Sequence, residues 1–302
     1  MWLLITLLGY LILAVVSILD KFILEKESTK PIVFVFYSTI FVLPIFLLLP
    51  FGVKPLSTLK DGYYALISGL AFGLAMWTMY IGLEKSEVSH LGPLIGAATP
   101  FFVMFLSKAI LHDAMTTAQW VASFLLIVGS LIVSFEISEK HRGWHSGMWW
   151  GVLSGLLFAV SHVFAKYMYN HYDFYSGFVW TRGAIGLVGI IVLFFPSVYR
   201  QLFKKEKVKA AKPKDGKKYA VIISDKVLGV VGVILIQYAI ALGNVSIVNA
   251  LTGIQYGVLI ILVAILSKFA PKLFKETYAR GEKMQEAIAV AIIAAGLAVL
   301  LF

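Results

Sequence analysis

Residues 69–108 read GLAFGLAMWTMYIGLEKSEVSHLGPLIGAATPFFVMFLSK, two apolar runs joined by the polar link Glu84-Lys85-Ser86-Glu87. Moved along by 160 residues without a gap, the stretch lands on residues 229–268, another apolar pair around Asn244-Val245-Ser246. In that register Gly69 meets Gly229, Ser86 meets Ser246, Leu91 meets Leu251 and Val103 meets Val263. Leu106-Ser107-Lys108 then meets Leu266-Ser267-Lys268. A hydrophobic hairpin used twice is the sequence mark of a membrane protein assembled from two half-chains.

The rest of the chain fits that solvent. Of 302 residues 60% are hydrophobic and 14% charged, against about 25% charged in soluble domains. So much apolar surface exceeds what one soluble core can hide, and lipid must solvate it. There are no cysteines, which excludes disulfides, thiolate metal sites and cysteine nucleophiles. The formal charge of +10 could suggest a nucleic-acid partner, but the basic residues sit in links beside apolar runs. They report membrane topology, and no nucleic acid is expected.

A membrane-crossing helix needs about 20 apolar residues. Ten such spans are expected, at 2–20, 31–50, 62–83, 90–111, 118–135, 147–169, 174–196, 226–243, 248–268 and 286–302. The first lacks a basic start and a small-residue cleavage site, so it reads as a mature helix rather than a signal peptide. The runs are continuous rather than alternating, which argues against an outer-membrane barrel. Span one echoes span six at an offset of 145, with Leu8 on Leu153, Ala14 on Ala159 and Lys21 on Lys166. Spans five and ten also rhyme, Gln119 to Gly129 against Gln285 to Gly296. The expected fold class is thus an all-α integral membrane protein of ten helices in two five-helix repeats. Five is odd, so the second repeat enters the membrane upside down. The expected units are 1–136 and 147–302, joined by 137–146, with a lysine-rich link at 197–225.

Of the 26 Lys and Arg, 21 lie in odd-numbered links and 4 in even-numbered ones. The positive-inside tendency then predicts cytoplasmic odd links and outward termini.

Inside the spans, Gly147, Gly151 and Gly155, Gly69 and Gly73, and Gly183, Gly186 and Gly189 form small-residue faces suited to close helix packing. Ionisable groups in a bilayer cost about 2.5–3.5 kcal/mol each on insertion scales and persist where they face a partner or a wet cavity. Arg182 is the deepest, roughly 12 Å into its span at the helical rise. It could line a cavity, snorkel, or pair structurally. Lys166 and His162 share a face one turn apart. Asp20 closes span one and is a candidate for ion coupling. Gln237 and Tyr238, Gln255, Trp77 and Tyr80 complete the candidate solute-binding set, with His90 and Asn249 opening spans four and nine. Buried amides need partners, supplied either by each other or by a solute.

Walker, HExxH and GxSxG motifs are absent. His141 and His145 with Glu139 make a weak metal motif in a loop, so neither metal nor cofactor is expected. An intramembrane enzyme or lipid-carrier handling protein is the alternative, were Asp20, Glu84, Glu87 and His90 to converge.

Several soft features point to one family: Leu19-Asp20-Lys21-Phe22 at the end of span one, the hairpin Gly82 to Leu94 with Pro93, Thr99-Pro100, and Gln119-Trp120 through Gly129. The chain resembles the EamA-like family of the drug/metabolite transporter superfamily over essentially its whole length. His112-Asp113 stands where that family commonly has Gly-Glu after span four, and Lys275-Glu276 holds the second-half place. The resemblance implies ten helices in inverted repeats and a cell-membrane secondary carrier of small metabolites, often an exporter of amino acids or related compounds. It also implies cytoplasmic termini, opposite to the charge tally. The expected partners are a small-molecule substrate and the lipid bilayer, with room for a homodimer.

Overall fold

The computed structural model describes residues 1–24, 31–85, 88–135, 146–196, 198–199, 216–269 and 280–301. They form α1 (Trp2–Leu24), α2 (Pro31–Ile40), a 3-10 turn (Leu43–Leu48), α3 (Leu59–Lys85), α4 (Val88–Ile110), α5 (Thr117–Ser134) and α6 (Ser146–His171). After these come α7 (Phe174–Leu193), α8 (Gly216–Leu242), α9 (Val245–Ala250), α10 (Thr252–Phe269) and α11 (Arg280–Leu301). No strand occurs among the described residues, and the chain is a multi-pass all-α membrane protein. The connector 137–145, His141, His145, Glu87, residues 201–215 and Lys275-Glu276 lie outside the described residues.

Three spans differ from expectation. The second is a ten-residue α-helix followed by a 3-10 turn. Pro44 has no N–H to offer the carbonyl of Ile40, and its ring crowds that carbonyl. One turn earlier the Thr39 hydroxyl bonds back to the carbonyl of Val35 at 2.6 Å. The eighth helix starts at Gly216, ten residues inside the expected link. The ninth span is broken at Leu251 into α9 and α10. Asn244 caps α9 by accepting the N–H groups of Ser246 and Ile247. Across the break, the Tyr10 hydroxyl donates to the carbonyl of Val248 at 3.0 Å. The Thr252 hydroxyl lies 2.7 Å from the Tyr10 oxygen and 2.6 Å from the carbonyl of Asn249, its one proton serving one of them at a time. Irregular backbone at membrane depth survives only where protein groups satisfy it in this way. With α2 short, nine helices among the described residues are long and apolar enough to cross a membrane.

Two antiparallel helix pairs organise the packing. On α1 and α8, Trp2 meets Gly243, Gly9 meets Ile236 and Val16 meets Gly229. On α6 and α3, Gly147 meets Gly82, the Ser154 hydroxyl bonds the carbonyl of Ala75, and Ser68 bonds the carbonyl of Ser161. Both seams advance by seven residues, the step that keeps one helix face on another. The α1 members map onto the α6 members at an offset of 145, the offset of the sequence echo. The α3 members map onto α8 at 161, one residue from the ungapped sequence register. Equivalent helices start from opposite faces: α1 begins beside Gly243, whereas α6 begins beside Gly82.

Each first helix therefore packs on the other half's third. α1 also lies on α10, and α6 on α4. Gly183, Gly186 and Gly189 of α7 seat Phe46, Leu43 and Ile40. Around the outside, α5 packs on α11, and the capping box of Thr116 and Gln119 starts α5. Leu4, Leu8, Leu11 and Val15 make an exposed stripe on α1, suited to lipid. On the face that carries both termini, Asp61 of α3 (5% exposed) accepts from Thr58 and from the Tyr172 hydroxyl at 2.8 Å, stapling the α2–α3 link to the end of α6.

Two stability predictions follow from the backbone. A Cβ on Gly69 would lie 2.5 Å from the carbonyl carbon of Ala184, and backbone cannot give way. Gly69→Ala should cost about 1–3 kcal/mol, read as a lower unfolding temperature in detergent. In the same assay Gly62→Ala should hold or slightly raise stability, since its nearest atom would be 3.7 Å away. His112 has φ +55°, the left-handed conformation that glycine usually supplies past a helix end. The N–H of Asp113 turns back there to the carbonyl of Ser107 at 3.4 Å. Because the His112 side chain is exposed, His112→Gly should gain about 1 kcal/mol by removing the left-handed penalty.

Candidate functional site

Arg182 sits mid-helix on α7 with 3% of its surface exposed. One amino group, Nη2, donates to the side-chain oxygen of Gln237 on α8 at 3.2 Å. The same oxygen accepts the Tyr169 hydroxyl of α6 at 3.0 Å, so Gln237 gathers α6 and α7. The guanidinium lies 4.8 Å from the centroid of the Phe72 ring on α3, a cation–π arrangement. Among the described residues, Nε and Nη1 of Arg182 have no hydrogen-bond partner, and no carboxylate lies within ion-pair distance. Those two nitrogens carry three of the five guanidinium N–H donors. Arg182 is a buried cation with open donors.

From Phe72 the contacts continue through α6. Phe72 meets Phe158 edge to face at 5.2 Å, and Phe158 stacks on His162. His162 Nδ1 lies 2.7 Å from Oδ1 of Asn249 on α9. The Asn249 amide nitrogen donates to the carbonyl of Val245 at 2.8 Å, which turns its oxygen toward the imidazole. Nδ1 of His162 is thereby the donor, and in the neutral ring Nε2 keeps the acceptor lone pair. The site thus couples a fixed cation to a fixed acceptor.

One turn along α6, Lys166 is 8% exposed. Its ammonium donates to the carbonyl of Ala241 in the last turn of α8 at 3.0 Å, where the helix dipole favours a cation. Asp113, in the link after α4, feels the Lys166 charge. Burial pushes its carboxyl above the ordinary carboxylate range, and the Lys166 ammonium pulls the other way. One oxygen of Asp113, Oδ2, is buried without a hydrogen-bond partner among the described residues. Nearby, the hydroxyls of Ser107 (α4) and Ser246 (α9) meet at 2.7 Å.

Of the residues singled out in the sequence, Arg182, Gln237, His162 and Lys166 lie where α6 and α7 meet α8 and α9. Tyr238 follows Gln237 and meets Phe174 edge-on at 5.0 Å. Gln255 of α10 donates to Ser17 of α1 at 3.2 Å. Trp77 and Tyr80 pack in the hydrophobic cluster of Val33, Phe36, Val188 and Val192 between α2 and α7. Asp20 lies in the last turns of α1, and its side chain is outside the described ones. Glu84 is exposed and His90 half-buried at the opposite face.

Tyr169, Phe72 and Tyr10 were not singled out in the sequence, and Asp113 was marked only for standing at the Gly-Glu place. Tyr169 shares the face of His162 and Lys166 by helical spacing, a signal that was available. Phe72 carries no such mark. Among the described residues no cluster of three metal-ligating side chains occurs.

Comparison with known proteins agrees with this architecture. A crystal structure described as "Crystal structure of protein" aligns with a TM-score of 0.64 at 17% identity, covering 98% of this chain and 96% of its own. At that identity the likeness shows the fold. No curated protein matches the chain. Residues 1–135 match the family model described as the EamA-like transporter family. Over those residues, somewhat under half of its length, the chain is similar to the EamA-like transporter family, part of the drug/metabolite transporter superfamily.

Proposed function

We propose that this transporter is a cell-membrane secondary carrier that moves a small anionic metabolite, a carboxylate or an amino acid, with export as its direction. The observation that carries this reading is Arg182. A guanidinium held in the membrane with three N–H donors open is costly unless an anionic group arrives to meet them. A carboxylate fits the planar donor array, while the ring of Phe72 stabilises the cation between visits. Nε2 of His162 would then accept a hydroxyl or ammonium proton from the same solute. Tyr238, Gln255, Trp77 and Tyr80 would complete the lining, and coupling to an ion would fall to Asp20.

Alternating access follows from the two seams. The proposed repeats, 1–136 and 147–302 around the connector 137–146, exchange their first helices. One body is then α1 with α8, α9 and α10; the other is α6 with α3, α4 and α7. Arg182–Gln237, Tyr169–Gln237, His162–Asn249, Lys166–Ala241 and Ser107–Ser246 each bridge the two bodies. The same boundary also carries apolar packing, Gly92 and Gly96 of α4 against the Tyr256 ring of α10 and a core shared by α1, α4, α6 and α8, so opening would exchange these contacts together with the hydrogen bonds. Rocking about this boundary would present Arg182 to each face in turn.

The test is transport of labelled carboxylates and amino acids into proteoliposomes, with counterflow to show a carrier. Arg182→Ala should lower saturable transport at least about a hundredfold, the scale of losing a buried charge contact, while the protein stays monodisperse. Gln237→Glu should do likewise by giving Arg182 an internal carboxylate, and Gln237→Met should be milder. Transport of anionic solutes unaffected by either Arg182→Ala or Gln237→Glu would overturn the anion reading.

A further inference from the structure

Lys166 and Asp113 have a role that solute binding leaves unexplained. Lys166 reaches across the boundary between the two bodies to the α8 carbonyl of Ala241. Asp113 does not cross it, because α4 packs on α6 and both belong to the body of Lys166. As α8 withdraws, Lys166 would lose its acceptor and be left a buried, unpaired ammonium, a strongly unfavourable state. Asp113 would keep its place, with Oδ2 already buried and unpartnered among the described residues. The left-handed His112 and the return of the Asp113 N–H to Ser107 fix that place in the backbone.

We propose that Lys166 and Asp113 form a switched latch at the membrane face that carries both termini. With that face closed, the Lys166 ammonium caps the C-terminal end of α8; when the face opens, it passes to the Asp113 carboxylate on its own body. The charge is compensated in both end states, so opening costs one exchange of partners rather than a bare buried ion. Ser107–Ser246 is the neutral bond of the same closure. The residues that hold Asp113 are in the first half of the chain and Lys166 is in the second, so the latch exists only in the folded protein. This inference rests on the two-body, alternating-access reading above, and is independent of which solute is carried.

The chain has no cysteine, so one introduced thiol reports alone. Val245 is fully buried at the start of α9, on the latched face. The experiment is the rate at which a polar maleimide labels Val245→Cys in detergent micelles without solute. Adding Lys166→Met should remove the closing contact and raise the rate about tenfold or more. Adding Asp113→Asn should remove the negative charge that would compensate the ammonium and lower the rate, although it leaves the Ala241 contact intact. The opposite signs separate a latch from general loosening, which would raise both rates. A measurable parent rate that Lys166→Met leaves unchanged, or that Asp113→Asn raises, overturns the latch while the carrier reading stands. No labelling in any of the three proteins, together with no transport in proteoliposomes, overturns both.

Discussion

Helices in lipid gain little from burying apolar side chains against each other, since the tails outside are as apolar as the neighbour. They hold together where backbones can touch. In this protein that contact is made on two seams of small residues, α1 on α8 and α3 on α6. Most of the remaining architecture follows from these seams. Because each joins the first helix of one half to the third of the other, the halves are interlaced rather than docked side by side. Both seams use the same seven-residue step, reached from unlike sequences.

The polar chemistry lies where the seams leave off. Inside each body, hydroxyl groups bond to backbone at close range, as Ser68 does to Ser161 and Tyr10 does to Val248. Where α6 and α7 meet α8 and α9 the polar contacts are longer side chains meeting singly, Arg182 and Tyr169 on Gln237, His162 on Asn249, Lys166 on the carbonyl of Ala241, set in a shared apolar core. Among these contacts the Arg182 guanidinium keeps Nε and Nη1 without a hydrogen-bond partner among the described residues. The broken span α9–α10 belongs to the same design. Its irregular backbone presents Asn249 to His162, and Tyr10 satisfies the carbonyl that the break would otherwise leave bare.

The departure of His112-Asp113 from the Gly-Glu step also has a physical account. The backbone keeps the left-handed turn that glycine would make easily, and histidine bears the strain. The acidic residue after it, Asp113, feels the charge of Lys166.

Composition and run length were enough to read an all-α membrane protein, and the offsets of 145 and 160 were enough to find the duplicated pattern. These signals are local or periodic, and each residue carries its share of them. Arg182 was also visible, because a charge deep in an apolar run is costly wherever it points. Proline 44 ended the second helix by a rule the sequence contains, although hydropathy alone read through it. What the sequence left open was orientation about each helix axis. In a soluble protein apolar means inward, but in lipid both the buried and the outward face are apolar, so hydropathy does not say which face meets a neighbour. That choice was settled by backbone contact across residues far apart in the chain. It put Gln237 rather than a carboxylate beside Arg182, Asn249 beside His162, and Asp113 within reach of Lys166.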